Sequence, residues 1–417
     1  MAVHWGGRGP GHVSRGGGLF ASLRLDFLSN VSDIDPRITF TRASSATRVN
    51  SSGLIETVSS NVARFDYDPV TLAPKGLLIE EQRTNLLTYS NDLSNVSWNK
   101  TNITLGAAIT GPDGLASLVK VEATTTAATV VNKTAVAAGS TSGNTFSVHA
   151  KKGSGATEAN SFVLRNNTTA TILISLTINY DTGALTYLTG SGPATAIDCG
   201  NGIWRIPITA TSGISAGDNL AVYIGFTGGT ATAGVHAYVG FFQLEAGAFA
   251  TSHTPTTSAT VTRAADVAVM TGASFSDWYN ASEGTFVVEF DMLATGPFGI
   301  VVASDGTSNN YIMLDTTSGG NPRYRVGVSA VSQASIVSGS SVSANTTTKT
   351  AVAYAANDFI SAMNGTLATP DTSGSLPVVD SLRIAATTGG VALNGHIRRL
   401  TYYPARLSNA LLQTLST

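Results

Sequence analysis

Short apolar runs, separated every eight to twelve residues by clusters of Gly, Asn, Asp, Ser and Thr, constrain this chain more than any other feature. Within a run such as 173–180, apolar side chains occupy every second position. This alternation is typical of antiparallel strands with one buried and one solvated face, and the turn spacing is that of a sandwich or barrel. Helical periodicity is confined to the C-terminus, where Ser408 is predicted to cap a short helix. We therefore predict an all-β protein built from antiparallel β-sandwiches.

The composition limits the partners of such a protein. Only 12% of the 417 residues are charged and the net charge is −2, whereas soluble globular proteins carry about 25% charged residues. Ser and Thr, about a quarter of the chain, supply the polarity instead. Lys and Arg form no basic stripe, so we expect no nucleic-acid partner. No run of 18 apolar residues occurs, so we expect no membrane insertion, and the single Cys199 builds neither a disulfide within the chain nor a zinc site.

Changes in composition divide the chain into five predicted segments. Residues 1–18 are rich in Gly and predict a flexible arm, and residues 19–87 predict an irregular N-terminal attachment segment. Residues 88–252 and 271–417 each contain a series of strands long enough for a sandwich. Residues 253–270, rich in Thr, predict the linker between the two sandwiches.

One pair of carboxylates is a candidate for catalysis. Glu289 and Asp291 have the same parity in the predicted strand 284–292, which puts them on one face about 7 Å apart. Glycoside hydrolysis uses two carboxylates, and this pair resembles the start of the E-x-D-x-x-E strand of one glycosidase group with a concanavalin-like sandwich. The last carboxylate of that pattern is missing, because the residues after Asp291 are apolar. Without a general acid we expect no enzymatic activity, and we expect the pair to lie on a solvated face.

Metal sites have little support in the sequence. The six His residues have no metal-ligand spacing, and we expect no cofactor. Asp305, Asp315 and Asp358 offer the oxygen ligands that calcium prefers, without a recognisable calcium-binding loop. A structural calcium ion bound by these carboxylates is the open alternative.

Side chains on the predicted outer faces of the first sandwich are candidates for sugar binding. Each of them alternates with buried apolar neighbours, and the four candidates are His149, Arg165, Arg205 and Tyr223. If their strands are neighbours, these residues form a polar face with planar groups, as sugar recognition uses. The alternative is an ordinary solvated outer face.

Three stretches carry recognisable motifs. They are ITFTRASSATRVNSSGLIETVSSNVARFDYDP with GLLIEEQRTNLLTYSNDLSNVSW (38–69 and 76–98), GFFQLEAGAFATSHTPTTSATVTRAAD (240–266) and GHIRRLTYYPARLSNALLQTLS (395–416). Together they cover roughly a quarter of the chain and resemble a family of tailed-phage virion proteins, the head-spike or fibre type also found in gene transfer agents. The second stretch resembles the exit strand and linker of a carbohydrate-binding-like sandwich. The third is similar to the closing strand and helix of concanavalin-like, laminin-G-type domains.

The resemblance implies a protein of the virion surface, a head or tail fibre or spike. It would display jelly-roll and concanavalin-like sandwiches towards a bacterial cell and bind the host surface polysaccharide. The implied partners are other virion proteins (portal, capsid, baseplate or tail components), and a homotrimer is favoured. We assign attachment or interface roles to Trp5 in the arm and to Arg42, Arg48 and Arg83 in the first matched stretch.

Three functions follow from these observations. The first is a virion fibre or spike that binds polysaccharide. The second is a purely architectural capsid or tail decoration protein without glycan binding. The third is a polysaccharide depolymerase, which the incomplete Glu289 and Asp291 pair supports least.

Overall fold

The computed structural model of the chain describes residues 20–29, 33–126, 128–136, 140–154, 160–193, 195–230 and 232–417. In these residues antiparallel sheets enclose two separate apolar cores, each between a pair of sheets. The prediction of an all-β protein with antiparallel sandwiches is confirmed. The predicted glycine-rich arm 1–18, and with it Trp5, lies outside the described residues.

The N-terminal part of the described chain contains short strands. They are β1 (Leu23–Asp26), β2 (Thr39–Thr41), β3 (Ala46–Val49), β4 (Ile55–Val58), β5 (Arg64–Tyr67), β6 (Pro74–Ile79) and β7 (Arg83–Asn85). β3 and β4 pair only with each other, and we call them the N-terminal hairpin.

The first sandwich consists of two six-stranded sheets. Its strands are β8 (Asn99–Thr101), β9 (Ile103–Thr110), β10 (Ala116–Ala123), β11 (Ala128–Val136), β12 (Asn144–Ser154), β13 (Ser161–Asn166), β14 (Thr171–Ile178), β15 (Leu185–Thr189), β16 (Ile197–Asp198), β17 (Ile203–Ala210), β18 (Asn219–Thr230) and β19 (His236–Ala246). The distal sheet has the order β15-β14-β13-β18-β11-β8, and the junction sheet has the order β16-β17-β12-β19-β10-β9.

The alternation in the sequence accounts for the core of this sandwich. Phe162 and Leu164 on β13 lie beside Val222 and Ile224 on β18, and all four are fully buried between the sheets. The residues between them point away from the core and are half-buried or lie against neighbouring elements. Burial of apolar surface is the main favourable term for such a fold, since each fully buried side chain of this kind contributes about 1.5–3 kcal/mol.

The second sandwich follows a short linker. The elements after the linker are β20 (Val261–Arg263), β21 (Val267–Thr271), α1 (Ala273–Ser276), β22 (Glu283–Met292), β23 (Gly299–Ser304), β24 (Tyr311–Thr316), β25 (Pro322–Val328), β26 (Val331–Val337), β27 (Thr348–Ala355), β28 (Asp358–Met363), β29 (Thr366–Leu367), β30 (Ser381–Ile384), β31 (Gly395–Tyr403) and α2 (Asn409–Leu415). Of these, β20 pairs with β7 in a separate two-stranded sheet. One sheet has eight strands, β29-β28-β27-β22-β31-β6-β5 with β1 also paired to β31, and the other has seven, β2-β21-β30-β23-β24-β25-β26.

The N-terminal strands belong to these two large sheets. β1 pairs with β31, with Leu23 opposite Tyr402, and β6 and β5 extend the same sheet. β2 pairs with β21 in the seven-stranded sheet. Phe65 and Leu77 are buried in the core of the second sandwich. Strands β1, β2, β5 and β6 therefore find their backbone hydrogen bonds in the sheets of the second sandwich, although the first sandwich lies between them and the rest of those sheets in the sequence.

The C-terminal helix is as predicted. The Ser408 side chain accepts a hydrogen bond from the Leu411 backbone N–H and caps α2. Leu412 is buried and packs with Ala351 and Tyr403 on the outer face of the eight-stranded sheet. Among the described residues no helix has the length and apolar character needed to cross a membrane.

The N-terminal hairpin packs on the outer face of the junction sheet. Ile55 contacts an apolar cluster on that face, formed by Leu118, Ile203 and Phe241. The Thr47 hydroxyl donates a hydrogen bond of 2.6 Å to the His253 carbonyl, in the chain that leaves the first sandwich. The outer face of the junction sheet is therefore covered.

Candidate binding face

The four residues predicted to bind sugar lie on two different sheets. Arg165 and Tyr223 are on β13 and β18, which are neighbours in the distal sheet. His149 and Arg205 are directly opposite each other on β12 and β17 in the junction sheet. All four point away from the core, so the two pairs lie on opposite sides of the sandwich. The single polar face expected from the sequence is not formed, because alternation does not indicate which sheet a strand joins.

The face with His149 and Arg205 is closed. His149 is 2% exposed. The centroid of the Phe241 ring lies 5.1 Å from that of the His149 ring and 4.9 Å from that of the His253 ring. The Arg205 guanidinium donates a hydrogen bond of 2.5 Å to the Thr251 carbonyl. The chain that leaves the first sandwich thus contacts both side chains: His149 is buried, and Arg205 is half-buried with its guanidinium bound to that chain.

The two imidazoles of this closed face are neutral. Neither ring nitrogen of His253 has a hydrogen-bond partner, and neither has Nδ1 of His149. Burial, helped by the charge of Arg205, lowers the pKa of His253 to about 3 and holds that of His149 well below its usual range. The buried Glu245 carboxylate accepts its hydrogen bonds from Gln243 and Thr251 and forms no ion pair with either imidazole.

The outer face of the distal sheet, which we call the distal face, carries a chain of polar contacts. Arg165 Nη1 donates to the Tyr223 hydroxyl (3.3 Å), and that hydroxyl donates to Asn167 Oδ1 (3.4 Å). Asn167 Nδ2 in turn donates to the Thr134 hydroxyl (3.2 Å). Arg165 and Tyr223 are half-buried, and within the described part of the chain Arg165 forms no ion pair. The face therefore presents hydrogen-bonding groups and one positive charge that no carboxylate neutralises.

The same face includes residues that the sequence analysis did not single out. Asn132 lies directly opposite Tyr223, and on its other side Asn99 donates a hydrogen bond of 3.3 Å to it. With Asn167 and Thr134 they enlarge the polar area around Arg165. The sequence pattern does indicate that Asn132 points away from the core, because it follows the buried Val131 in the strand. Asn99 lies on an edge strand too short to show a period.

The carboxylate pair Glu289 and Asp291 is buried, which corrects the expectation of a solvated face. Glu289 accepts hydrogen bonds from Arg398 Nε (3.0 Å) and Arg399 Nη1 (2.9 Å). The two residues are 7% and 3% exposed, because Arg398 and Arg399 cover Glu289 and His396 covers Asp291. Glu289 thus serves as the anion of a pair of arginines.

Asp291 is bound to a histidine that the sequence analysis left unassigned. His396 Nδ1 lies 2.7 Å from Asp291 Oδ1, and Nε2 lies 3.1 Å from Asp66 Oδ2. Burial lowers the pKa of His396, but the charge of Asp291 and the hydrogen bonds of both carboxylates outweigh it and raise that pKa overall. Burial also raises the pKa of Asp291, but His396 brings it below its usual value. The His396 ring between two carboxylates joins β5 to β22 and β31.

The three calcium candidates are not brought together. Asp315 is bound by Arg323 and Arg325, and Asp358 by Arg406. Asp305 accepts hydrogen bonds from Thr307 and Asn310 in its own loop. Within the described residues no group of three or more His, Cys, Asp or Glu side chains is arranged to hold a metal ion.

The predicted attachment residues differ in accessibility. Arg42 is 1% exposed, and its guanidinium donates to three carbonyls and to Asp266 Oδ1 (3.1 Å). Arg83 is bound to Glu81 and to the Ala246 carbonyl at the end of β19. Arg48 pairs with Glu56 on the hairpin and stays partly exposed. Arg42 and Arg83 therefore make their contacts within the chain.

Arg42 is one member of a buried ion network between the sandwiches. The others are Arg64 on β5, Glu80 after β6, Arg263 on β20 and Asp266 before β21. None of these side chains is more than 1% exposed. We call them the junction network. Burial opposes their charges. At Arg64 and Glu80 the opposite charges prevail, so the pKa of Arg64 is raised and that of Glu80 is lowered far below its usual range, whereas at Arg42 burial prevails and lowers the pKa.

The junction network also binds the end of the first sandwich. Glu80 accepts two hydrogen bonds of 2.7 Å, from the backbone N–H and the hydroxyl of Ser252. Arg64 donates to the same hydroxyl (2.8 Å) and to the Thr47 carbonyl of the N-terminal hairpin. The network therefore ties the first sandwich, the hairpin and the second sandwich to one another.

The fold and the distal face define a two-sandwich β protein with an open polar face on the first sandwich. No protein-family model and no curated protein matches its sequence. Among solved structures, the CBM40 of the Ruminococcus gnavus IT-sialidase bound to α2,6-sialyllactose is 16% identical with a TM-score of 0.30, over 33% of this chain and 85% of that one. The NanB sialidase from Streptococcus pneumoniae is 14% identical with a TM-score of 0.32, over 36% of this chain and 26% of that one.

A third likeness is to the heptameric SAP-like pentraxin from Limulus polyphemus. It is 12% identical with a TM-score of 0.27, over 33% of this chain and 70% of that one. Each of these likenesses extends over about a third of this chain. At such values they indicate nothing about what the chain binds.

Proposed function

We propose that this chain is a structural protein of a virion, a head or tail fibre or spike, that binds host-cell-surface polysaccharide and does not cleave it. The virion role is supported by the resemblance of the three sequence stretches to phage head-spike and fibre proteins. The binding role is supported by one observation above all: the distal face is the polar outer face of the first sandwich that stays open, whereas the other is covered.

The hydrogen bonds of the distal face support ligand binding. Those that link Arg165, Tyr223, Asn167 and Thr134 measure 3.2–3.4 Å, at or beyond the long end of the usual range for protein hydrogen bonds. These groups keep most of their bonding capacity for a ligand with many hydroxyl groups. The positive charge of Arg165 favours polysaccharides that carry carboxylate or other anionic groups, because hydrogen bonds to charged partners are the stronger ones.

The state of the carboxylates supports binding without cleavage. A glycosidase needs a general acid whose pKa is raised, so that it is protonated at the working pH. The pKa of Asp291 is lowered instead by the neighbouring His396, and Glu289 is held by two arginines. Neither carboxylate of the candidate pair has the environment of an acid catalyst.

The rigidity that the junction network gives to the two sandwiches supports a role as a fibre or spike. A buried network fixes the distal face relative to the second sandwich, so neighbouring copies in an oligomer would present their faces in a defined geometry. Several weak sites on one rigid body bind a repetitive polymer much more tightly than one site does. We propose a homotrimer attached to portal, capsid, baseplate or tail proteins.

The proposed polysaccharide binding is tested by applying the full chain to an array of bacterial capsular and lipopolysaccharide glycans. We expect retention on a subset of polysaccharides, enriched in acidic ones, and no release of reducing ends. Absence of binding at high protein concentration would leave the architectural role. Release of reducing ends would establish a depolymerase.

The virion half is tested by immunogold electron microscopy of particles from a host culture that produces this chain. We expect gold on projections at the head or tail, and light scattering of the purified chain at three times the monomer mass. Label in the cytoplasm without label on particles would contradict the virion role but not the binding role.

A further inference from the structure

A second open site lies in the second sandwich, at one end of the seven-stranded sheet. The cleft, which we call the α1 cleft, has a volume of about 640 Å³ and lies between α1 with the following Tyr279 on one side and the chain entering β30 on the other. Thr271 at the end of β21 pairs with Ser381 at the start of β30, so the ends of neighbouring strands form its base. The volume falls within the range of about 300–1,000 Å³ that is usual for small-ligand sites.

The floor of the α1 cleft is apolar and rigid. Phe275 is 1% exposed, and Tyr279 stacks on it with a centroid distance of 4.6 Å and an interplanar angle of 27°. Tyr279 also stacks on Tyr402 of β31, at 5.7 Å and 26°. Val379 adds an aliphatic wall. Because these rings are packed against the core, the floor is preformed and a ligand does not have to order it.

The rim of the α1 cleft carries polar groups without partners. The Asp380 carboxylate is exposed and forms no hydrogen bond or ion pair with any described residue, while its backbone N–H is fixed by the Ser304 carbonyl (3.1 Å). The hydroxyls of Thr271 and Ser276 are exposed and equally free of hydrogen bonds to described residues. An apolar floor surrounded by a free carboxylate and two free hydroxyls matches a pyranose ring, which has an apolar face of C–H groups and a rim of hydroxyls.

We infer that the α1 cleft is a second glycan site that binds an uncharged pyranose unit, with the Asp380 carboxylate accepting hydrogen bonds from two adjacent sugar hydroxyls. Like charges repel, so Asp380 disfavours acidic sugars. The α1 cleft would therefore favour neutral sugars, whereas Arg165 on the distal face favours acidic ones. The inference rests on the proposed glycan-binding function but concerns a different site. The chain would then bind acidic units of a polysaccharide at the distal face and neutral units in the α1 cleft.

Saturation-transfer difference NMR on the full chain tests this inference. The probes are the methyl glycosides of glucose, galactose and mannose, with methyl glucuronide as the acidic counterpart. We expect transfer to at least one neutral glycoside and affinity about tenfold or more lower in Asp380→Asn, since a hydrogen bond to a charged group is lost. Ser276→Trp, which fills the opening, is expected to abolish the signal.

Asp277→Asn is the matched control. Asp277 is exposed and lies on the other side of α1, outside the cleft, so the same loss of charge there is expected to leave binding unchanged. Equal affinities for the wild type and Asp380→Asn, no transfer to any neutral glycoside, or stronger transfer to methyl glucuronide would each overturn the inference.

The variant Arg165→Ala separates this site from the distal face. It is expected to weaken retention on polysaccharides and to leave the binding of neutral methyl glycosides unchanged. Loss of polysaccharide binding in Arg165→Ala, without any binding of neutral glycosides by the wild type, would refute the α1 cleft alone. Binding of neutral glycosides that depends on Asp380, with polysaccharide retention unaffected by Arg165→Ala, would refute the distal face alone.

Discussion

Arg64 and Asp266, 202 residues apart in the sequence, form an ion pair in which neither side chain has any exposed surface. Asp266 also accepts the Glu80 backbone N–H (2.9 Å), and Glu80 binds Ser252 at the end of the first sandwich. The junction network therefore joins the N-terminal segment, the first sandwich and the second sandwich. The position of the distal face relative to the second sandwich depends on this network.

Asp266→Asn is expected to lower the free energy of unfolding by about 3–5 kcal/mol, since removing one partner of a buried pair leaves charges without compensation. In this variant Arg42 loses its anion, and Arg64 keeps only Glu80. The measurement is urea unfolding followed by circular dichroism. The control is Glu56→Gln, whose pair with Arg48 is partly exposed and contributes about 0–1 kcal/mol. Equal losses in both variants would contradict a special role of the junction network.

His253 and His149 are expected to make the protein less stable in acid. Burial lowers the pKa of His253 to about 3, whereas in the unfolded chain an imidazole titrates near about 6.5. The unfolded state therefore binds protons that the folded state does not, and stability is lost as the pH falls from that value towards 3. In His253→Phe, which keeps a ring against Phe241, we expect a shallower decline of the unfolding free energy between pH 6.5 and pH 4. An unchanged slope would show that His253 does not carry this effect.

His396 is expected to act in the opposite direction. Its pKa is raised in the folded state, because Asp291 and Asp66 favour the charged ring more strongly than burial and the charge of Lys75 oppose it. The stabilisation is fully present below about pH 6.5, the unfolded value, and is lost as the pH rises through the folded pKa. An NMR titration is expected to show this imidazole still charged at a pH at which His149 is neutral. In His396→Gln the loss of stability on the alkaline side disappears; a persistent loss would exclude this residue as its cause.

Much of the fold follows from local pattern. In the run 173–180, whose alternation predicts a strand with one apolar face, Ile174, Leu176 and Ile178 are all buried in the first core. Period-2 alternation and turn residues act over a few positions, and they determine which side of a strand is apolar.

The sites depend on contacts that local pattern does not contain. Alternation placed His149 and Glu289 correctly on the sides away from the cores, but both are covered by elements far away in the sequence. Asp291 is hydrogen-bonded to His396, which lies 105 residues further along the sequence. Which outer face stays open depends on how strands are sorted into sheets and on what packs outside them, and neither is encoded within a single run.

The most direct test of the account is a titration of the full chain with a polysaccharide retained on the glycan array, by biolayer interferometry, comparing the wild type with Arg165→Ala, Tyr223→Phe and Arg24→Ala. Loss of the Arg165 guanidinium is expected to weaken binding about tenfold or more, because hydrogen bonds to a charged group contribute about 1.5–3 kcal/mol. Tyr223→Phe is expected to have a smaller effect. Arg24, exposed on β1 of the second sandwich, is the matched control and is expected to have none. Unchanged binding in Arg165→Ala, or equal losses in Arg165→Ala and Arg24→Ala, would contradict binding at the distal face.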